Sequence, residues 1–519
     1  MWTILTLILL IILWYLLINP LCHWKRLGVF QTKSPWMILG DSWRKMSFIR
    51  GPSAFFDFVK WCTEGCRATG YMGIYDFAIP VLCITDPELI KTITVKDFEY
   101  FTDVMPLNIN SELDCLLAGN LLFLNGKKWK STRSMVSPIL TSKKLKFLWQ
   151  FIADETTDLV DYLLEKTFDV GYIEIEMVDL FLRYVSDVTT NIAVGIKIDS
   201  LRDKNNAIYK SALAFANVNL EGLSSLMLKF FPKLSKLLGI RILDQKLILP
   251  LMEAYKEAVR LKINNQVRRN DVVDSLLDII SEENTDEESL STTNMTFWDV
   301  VGVAADFFLA GLNSMSSVLS FGAYELAFNK DVQDKLRLEI NKCVQNHDEI
   351  TREVIQDMEY MDMVVSELLR KWPPSLATDR VVVKPYNLKL GENTVKLDIK
   401  QRITIPIFGL HRMPEHFPNP DKFDPERFSS ENRTKINPYT YIPFGKGPRV
   451  CLGIRLALMN IKLVLFHLLR NFELMPSTRT LSSIKIKATL TQYQIGEGCW
   501  ITMKRIETTC CDTERCTHL

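Results

Sequence analysis

Cys451 stands where irregular, glycine-containing backbone gives way to an apolar-periodic helix, in the stretch Tyr441–Lys462, YIPFGKGPRVCLGIRLALMNIK. A thiol at that junction faces free backbone N–H groups and the positive end of a helix dipole, and both favour its thiolate. Gly445, Gly447 and Gly453 let the backbone turn sharply and approach a flat ligand closely. Phe444 can shield the sulfur from water. Arg449, two residues earlier, can raise the charged fraction of the thiol and pair bidentately with a carboxylate. Taken alone, the same residues also suit a plain loop around a buried cysteine.

The spacing Phe444-x-x-Gly447-x-Arg449-x-Cys451-x-Gly453 resembles the haem-binding signature of the cytochrome P-450 monooxygenases, position for position. The resemblance implies haem b with Cys451 as its axial thiolate and metal ligand, and with Arg449 on a haem propionate. A thiolate ligand pushes electron density through iron and promotes cleavage of a bound O–O bond. Trp129-Lys130-Ser131-Thr132-Arg133 resembles the family helix whose Trp and Arg reach a propionate, and Arg380, six residues after Pro374, resembles a third propionate partner. Glu367-Leu368-Leu369-Arg370 and Pro425-Glu426-Arg427-Phe428 look like the two parts of the family's Glu–Arg–Arg network, which gives Glu367, Arg370 and Arg427 a structural role. His411 and His416, in the proline-broken HRMPEHFPNPDKF, are the other haem-ligand residue type near the motif; with Cys451 on one side of the iron and oxygen on the other, neither is needed.

Ala310-Gly311-Leu312-Asn313-Ser314 resembles the family's oxygen-activating helix, and Ala310, Gly311, Asn313 and Ser314 are the catalytic candidates. Gly311 weakens the helix and is expected to leave space against the haem face. The usual acid is Asn313 here, and the usual threonine is Ser314. A neutral amide cannot titrate, so proton delivery is expected through Ser314 and ordered water. Asn460 is a further departure, where relatives often carry Glu. A lipophilic substrate is expected in a cavity lined by the Tyr100–Phe123 region, residues 205–245, Phe308–Ser317 and Pro374–Thr378.

The chain has 519 residues, 47% hydrophobic and 24% charged, with 62 Lys+Arg against 61 Asp+Glu. That excludes fibrous and low-complexity classes, and a net charge of +1 supplies no field for nucleic acid. Met1–Ile18, MWTILTLILLIILWYLLI, carries no charge and reads as a retained membrane helix. His23, Lys25 and Arg26 then put the rest on the cytoplasmic side of the endoplasmic reticulum membrane. Eleven scattered cysteines read as mostly reduced thiols. Cys510, Cys511, Cys516 and His518 lie in a polar tail.

The expected organisation is an anchor over 1–19, a linker over 20–50, one haem domain over 51–508 and a tail over 509–519. The fold class is mainly α with a small β region, the α+β cytochrome P-450 fold that the resemblance implies. Strands are expected at Tyr71–Tyr75 and Val81–Thr85, followed by an N-cap at Asp86-Pro87. Helices are expected over 142–165, 175–195, 205–230, 245–280, 296–327 and 330–346, and strand pattern over 385–409 around Gly391-Glu392-Asn393. Glu282–Asn294 reads as an exposed connection. Leu223–Ile240, apolar with a lysine rim, suits either a second membrane contact or core packing.

No dinucleotide-binding glycine motif and no iron–sulfur cysteine cluster accompanies the haem motif, so electrons come from a partner. The resemblance implies NADPH–cytochrome reductase, with a b-type cytochrome as a second donor. Lys127, Lys128, Lys130, Lys446 and Arg455 offer a basic docking face. The pattern is most similar to insect microsomal members, from Trp24-Lys25-Arg26 and Phe307-Phe308-Leu309-Ala310-Gly311. Two competing readings are a reductase-independent peroxide rearrangement, which the amide at Asn313 favours, and a non-catalytic haem binder.

Overall fold

The computed structural model describes residues 19–31, 39–105, 120–218, 227–228, 231–241, 244–264, 266–283, 297–488 and 492–506. The membrane segment, the polar tail, the acidic connection beyond Glu283 and much of Leu223–Ile240 lie outside the described residues. Within them the helices of ten residues or more are α1 Ala54–Cys66, α2 Gly126–Val136, α3 Ser142–Thr167, α4 Met177–Val194, α5 Ala207–Ala216, α6 Gln245–Ile263, α7 Val272–Glu283, α8 Phe297–Phe328, α9 Lys330–Asn346, α10 Glu359–Lys371 and α11 Ile454–Asn471. The strands are β1 Tyr71–Asp76, β2 Ile79–Ile84, β3 Tyr172–Glu176, β4 Thr378–Val381, β5 Tyr386–Leu390, β6 Asn393–Leu397, β7 Arg402–Ile405, β8 Phe472–Pro476, β9 Lys485–Ala488, β10 Tyr493–Glu497 and β11 Trp500–Arg505.

Apolar periodicity divides these elements into a large helical core and a smaller β body. α8 is the central helix. Its 32 residues contain only three charged side chains, Asp299, Asp306 and Glu325, and α4 packs along it. Among the described residues it is the one helix long and apolar enough to cross a membrane, but 67% of its most apolar window is buried inside the protein. A core helix of this kind is apolar nearly all round because neighbours cover it on most sides.

The β body is a four-stranded sheet in the order β1-β2-β7-β4, with β2 and β7 parallel. Asp86 caps the helix after β2 by accepting from the Leu89 N–H at 2.8 Å, with Pro87 in the first helical position. Gly391, at φ +63°, turns the β5–β6 hairpin. The segment expected to be a linker is packed on this body where it is described. Trp24 is fully buried, its indole N–H donates to the Ile74 carbonyl at 3.1 Å, and a side chain at Gly73 would collide with its ring.

Several expected helices end early, for local reasons. The 245–280 stretch breaks between Ile263 and Val272, where the buried Lys262 ammonium is held by Asp271 and Asp274. α4 starts at Met177 because Tyr172–Glu176 pairs with β11 instead. In the 205–230 stretch α5 begins after Asn206, whose side chain accepts from the N–H groups of Ile208 and Tyr209, and ends at Ala216. The strand pattern over 385–409 resolves into β5, β6 and β7, then a single helical turn, Ile407–Leu410, after Pro406.

Beneath the glycine loop, Glu367 and Arg370 are both fully buried on α10 and pair bidentately, Nε to Oε2 at 2.7 Å and Nη2 to Oε1 at 2.8 Å. The remaining guanidinium and carboxylate capacity pins the proline-rich stretch. Arg370 donates to the carbonyls of His411 at 3.0 Å and Pro420 at 2.8 Å, and Glu367 accepts from the Asp424 N–H at 2.9 Å. Arg427 joins more loosely. Its Nε lies 3.5 Å from Glu367 without a hydrogen bond, while Nη2 donates to the Asn419 carbonyl at 2.9 Å.

Removing one member of a buried pair leaves an uncompensated charge, at a cost of about 3–5 kcal/mol. Arg370→Ala and Glu367→Ala are each expected to destabilise the haem-loaded protein by that amount, and the double variant by less than their sum. Chemical denaturation of the four proteins checks this; additive losses would show that the two side chains act separately.

Candidate functional site

Three glycines precede α11, and they do different jobs. Gly445 and Gly447 have φ of +76° and +73°. A side chain at Gly447 would overlap the Thr94 carbonyl, so this close approach is to the protein's own backbone and not, as its sequence suggested, to a flat ligand. Gly445 and Gly453 are open, with no atom nearer to an added Cβ than about 4.0 Å. Gly453 is the N-cap of α11, which puts Cys451 two residues before the helix, with its N–H donating to the Phe444 carbonyl at 2.9 Å. Phe444 is half-buried against the helical core.

Cys451 is exposed, whereas Cys22 is half-buried and the other described cysteines are buried. Desolvation by the surrounding protein raises the thiol pKa, while the Gly453 N–H and then the Arg133 charge lower it. The cation beside the sulfur is therefore Arg133 of α2, which also donates to the Val450 carbonyl at 2.7 Å, and not Arg449 as its sequence position suggested. Arg449 turns away to donate to the carbonyls of Thr102 and Leu124, both at 2.9 Å, and its guanidinium lies 4.1 Å from the centre of the buried Trp129 ring.

Arg133, Arg380 and Arg449 come close enough to repel. Arg449 is pushed down to about 10 by burial and then by the charge of Arg380, with Arg133 adding a smaller contribution. Arg380, 2% exposed on β4, is also pushed down to about 10 by burial, and its Nε has no partner. Burial lowers Arg133 as well. None of the three forms an ion pair among the described residues. The charge of Asp379 offsets part of the cost for Arg380, and Asp103 and Asp379 do so for Arg449, but a desolvated cation without a bonded counter-ion remains costly, so this donor set fits a bound group carrying carboxylates, as haem does through its two propionates.

The histidines take no part. His411 is fully buried, and its Nδ1 lies 3.1 Å from the Arg370 carbonyl while Nε2 accepts from the Ile442 N–H at 2.9 Å. A carbonyl can only accept, so this pattern assigns the proton to Nδ1 and engages both ring nitrogens. Burial, helped by the Arg370 charge, pushes its pKa down to about 3. The ring ties the buried ion pair to the cysteine loop.

On α8 the face carrying Asp306, Phe307, Ala310, Gly311 and Ser314 is less covered than the rest, and Ala310 is exposed in mid-helix. α8 is unbroken there, and a side chain at Gly311 would meet Thr189 of α4 at 2.8 Å. Gly311 thus serves close packing of two helices, which corrects the expectation of an opening at this residue. Ser314 donates to the Ala310 carbonyl at 2.6 Å. Asn313 is buried and its Oδ1 lacks a partner. Asn460 is buried on α11 and accepts from the Tyr184 hydroxyl at 3.4 Å. Lys127, Lys128, Lys130 and Arg455 are exposed and Lys446 is half-buried.

The Thr102, Leu124 and Asn125 anchors of Arg449 carry no signature in the sequence. Backbone carbonyls carry no residue-type signal, and only the turn at Asn125-Gly126 hints at them. Asp306, a carboxyl on an otherwise apolar stretch, belongs to none of the motifs above.

Residues 65–494 match the family model described as Cytochrome P450. The chain belongs to the cytochrome P450 family. Cytochrome P450 9e2 of Blattella germanica is 36% identical over 453 residues, covering 83% of this chain and 85% of that protein. Probable cytochrome P450 9h1 of Drosophila melanogaster is 34% identical over 472 residues, 87% and 89% of the two chains. Cytochrome P450 6l1 of Blattella germanica is 32% identical over 460 residues, 87% and 86%. Family membership makes this cytochrome P450 a haem monooxygenase with cysteine thiolate ligation.

Each arginine that bonds a propionate is expected to contribute about 1.5–3 kcal/mol, as hydrogen bonds to charged groups do. Arg380→Met should therefore release haem at least about tenfold faster with little loss of thermal stability in the haem-free protein, because among the described residues Arg380 donates only within its own strand, to the Asp379 carbonyl and the Thr378 hydroxyl. Arg449→Met should lose both, because it also strips two backbone carbonyls of their donor. Haem transfer to an acceptor globin, with melting of the haem-free chains, separates the two. Unchanged release from Arg380→Met would remove this residue from the cofactor site.

Proposed function

We propose that this cytochrome P450 binds haem b, takes electrons from NADPH–cytochrome reductase with a b-type cytochrome as a second donor, and oxidises a lipophilic small molecule on the cytoplasmic face of the endoplasmic reticulum. The carrying observation is a set of three guanidiniums with no ion pair among the described residues, the buried Arg380 and the half-buried Arg133 and Arg449, around the loop of Cys451. Bound haem supplies the iron that activates dioxygen. The chain does the rest. Cys451 ligates from the amino end of α11, the arginines hold the carboxylates, and the Glu367–Arg370 pair fixes the stretch beneath.

The less covered face of α8, with Phe307 and Ala310, supplies part of an apolar wall, and that supports a lipophilic substrate. The exposed Lys127, Lys128, Lys130 and Arg455 flank α2 and the start of α11, the two segments that carry Arg133 and Cys451, and suit an acidic electron donor. The apolar Met1–Ile18 segment supports attachment to the membrane.

Reconstitution with the reductase in phospholipid vesicles under labelled dioxygen tests the reading across a panel of steroids, terpenoids and insecticides. One labelled oxygen atom per product is expected, together with NADPH consumption that rises with substrate. Product formed from a hydroperoxide without reductase or NADPH, and none with them, would favour peroxide rearrangement.

A further inference from the structure

Asp306 lies on α8 seven residues before Asn313, a spacing of two helical turns that places both on nearly one face, about 10 Å apart. Its carboxyl has one partner. Oδ2 accepts from the Leu121 N–H at 2.8 Å, while Oδ1 is buried with none. Asn313 Oδ1 is buried and partnerless too. Burial raises Asp306 well above the usual carboxylate range; among the described residues the Leu121 N–H acts against it and no charged side chain contributes. The helix thus carries an acid whose burial favours the protonated form, displaced from the position where the family's acid is expected. Two orphaned acceptors on one helix face, beside the exposed Ala310, are the boundary that a short file of about three waters would satisfy.

We propose that Asp306 supplies the protons that the amide at Asn313 cannot, through water running along α8 from Asp306 to Asn313 and Ser314. This rests on the monooxygenase reading above. Oxidising a substrate RH with O2, two electrons from the reductase and two protons gives ROH and H2O. In each proton transfer the Asp306 O–H bond breaks, a neighbouring water takes the proton and passes one on, and the carboxylate is reprotonated from solvent beside Leu121 and the exposed Leu122. Ser314 already donates to the Ala310 carbonyl, so its oxygen is free to accept from that water. Asp306 acts through these groups and is a positioning and proton-supplying residue.

The test compares the wild-type holoenzyme with Asp306→Asn, Asp306→Glu, Asn313→Asp and the double variant Asp306→Asn/Asn313→Asp. Product per NADPH is expected to fall several-fold in Asp306→Asn, with hydrogen peroxide rising to match and a larger solvent isotope effect. Asp306→Glu should retain coupling. Asn313→Asp should restore it in the double variant by placing a titratable group nearer the serine.

Infrared spectroscopy of the holoenzyme gives a readout independent of turnover, a protonated-carboxyl stretch present in wild type and absent from Asp306→Asn. Asp306→Ser, which keeps an acceptor for Leu121 without an acid, replaces the Asn variant should that fail to fold. Wild-type coupling in Asp306→Asn, an infrared spectrum in which Asp306 is ionised, or a double variant as uncoupled as the single would each overturn the proposal. Absence of reductase-dependent NADPH consumption in the wild type would instead count against the monooxygenase reading, and leaves the infrared result to decide the protonation of Asp306.

Discussion

A sulfur two residues ahead of a long helix, with three desolvated guanidiniums gathered nearby, is a polypeptide arrangement that is incomplete in electrostatic terms. Cys451 is held by the turn from Phe444 to Gly453, and only Arg133 lends it positive charge. The charge of Arg380 meanwhile depresses Arg449. A buried charge without a counter-ion costs the folded state unless something neutralises it. Haem carboxylates would discharge that strain, and iron would give the thiolate its partner. Folding and cofactor retention are therefore coupled at this one place, as metal binding and folding are in other sites whose ligands carry charge.

The surrounding architecture holds that junction still. The Glu367–Arg370 pair is an expensive device if isolated, because desolvating two ions can outweigh their attraction. Here the pair's further hydrogen bonds go to backbone between His411 and Asp424, so it fixes an irregular stretch. His411 extends the same connection to Ile442, three residues before the glycine turn. Opposite, α8 is unbroken through Gly311, where the missing side chain lets α4 come close. Rigidity on both sides suits a site that must hold a flat cofactor at fixed distance from its ligand.

Much of this was legible in the sequence because it depends on residue type and short spacing. The cysteine signature, the Glu367/Arg370 spacing and the N-cap at Asp86 are local patterns; the structure forms the ion pair and the cap as the patterns imply, while within the signature Gly447 and Arg449 turn to the protein's own backbone. The apolar run of α8 was readable for the same reason. Boundaries fared worse where a tertiary contact decides them. Lys262 breaks a continuous apolar pattern because two carboxylates lie next to the turn, and Tyr172–Glu176 is a strand only because β11 lies beside it, more than 320 residues later in the chain. The strands β8 to β11 are short, and no periodicity of 4–6 residues competes with the helix before them. Within the site, the partner of Arg449 was invisible because backbone carbonyls look alike in every residue. Trp24 read as linker because its burial depends on a glycine in β1.

The account stands or falls on whether the sulfur of Cys451 is bonded to haem iron. Carbon monoxide added to the reduced, membrane-assembled protein provides the most direct measurement. A strongly red-shifted Soret band is predicted for the wild type, and its loss for Cys451→Ser even where haem remains bound. A wild-type band at the position typical of histidine-ligated haem, or a red-shifted band that survives in Cys451→Ser, would contradict it.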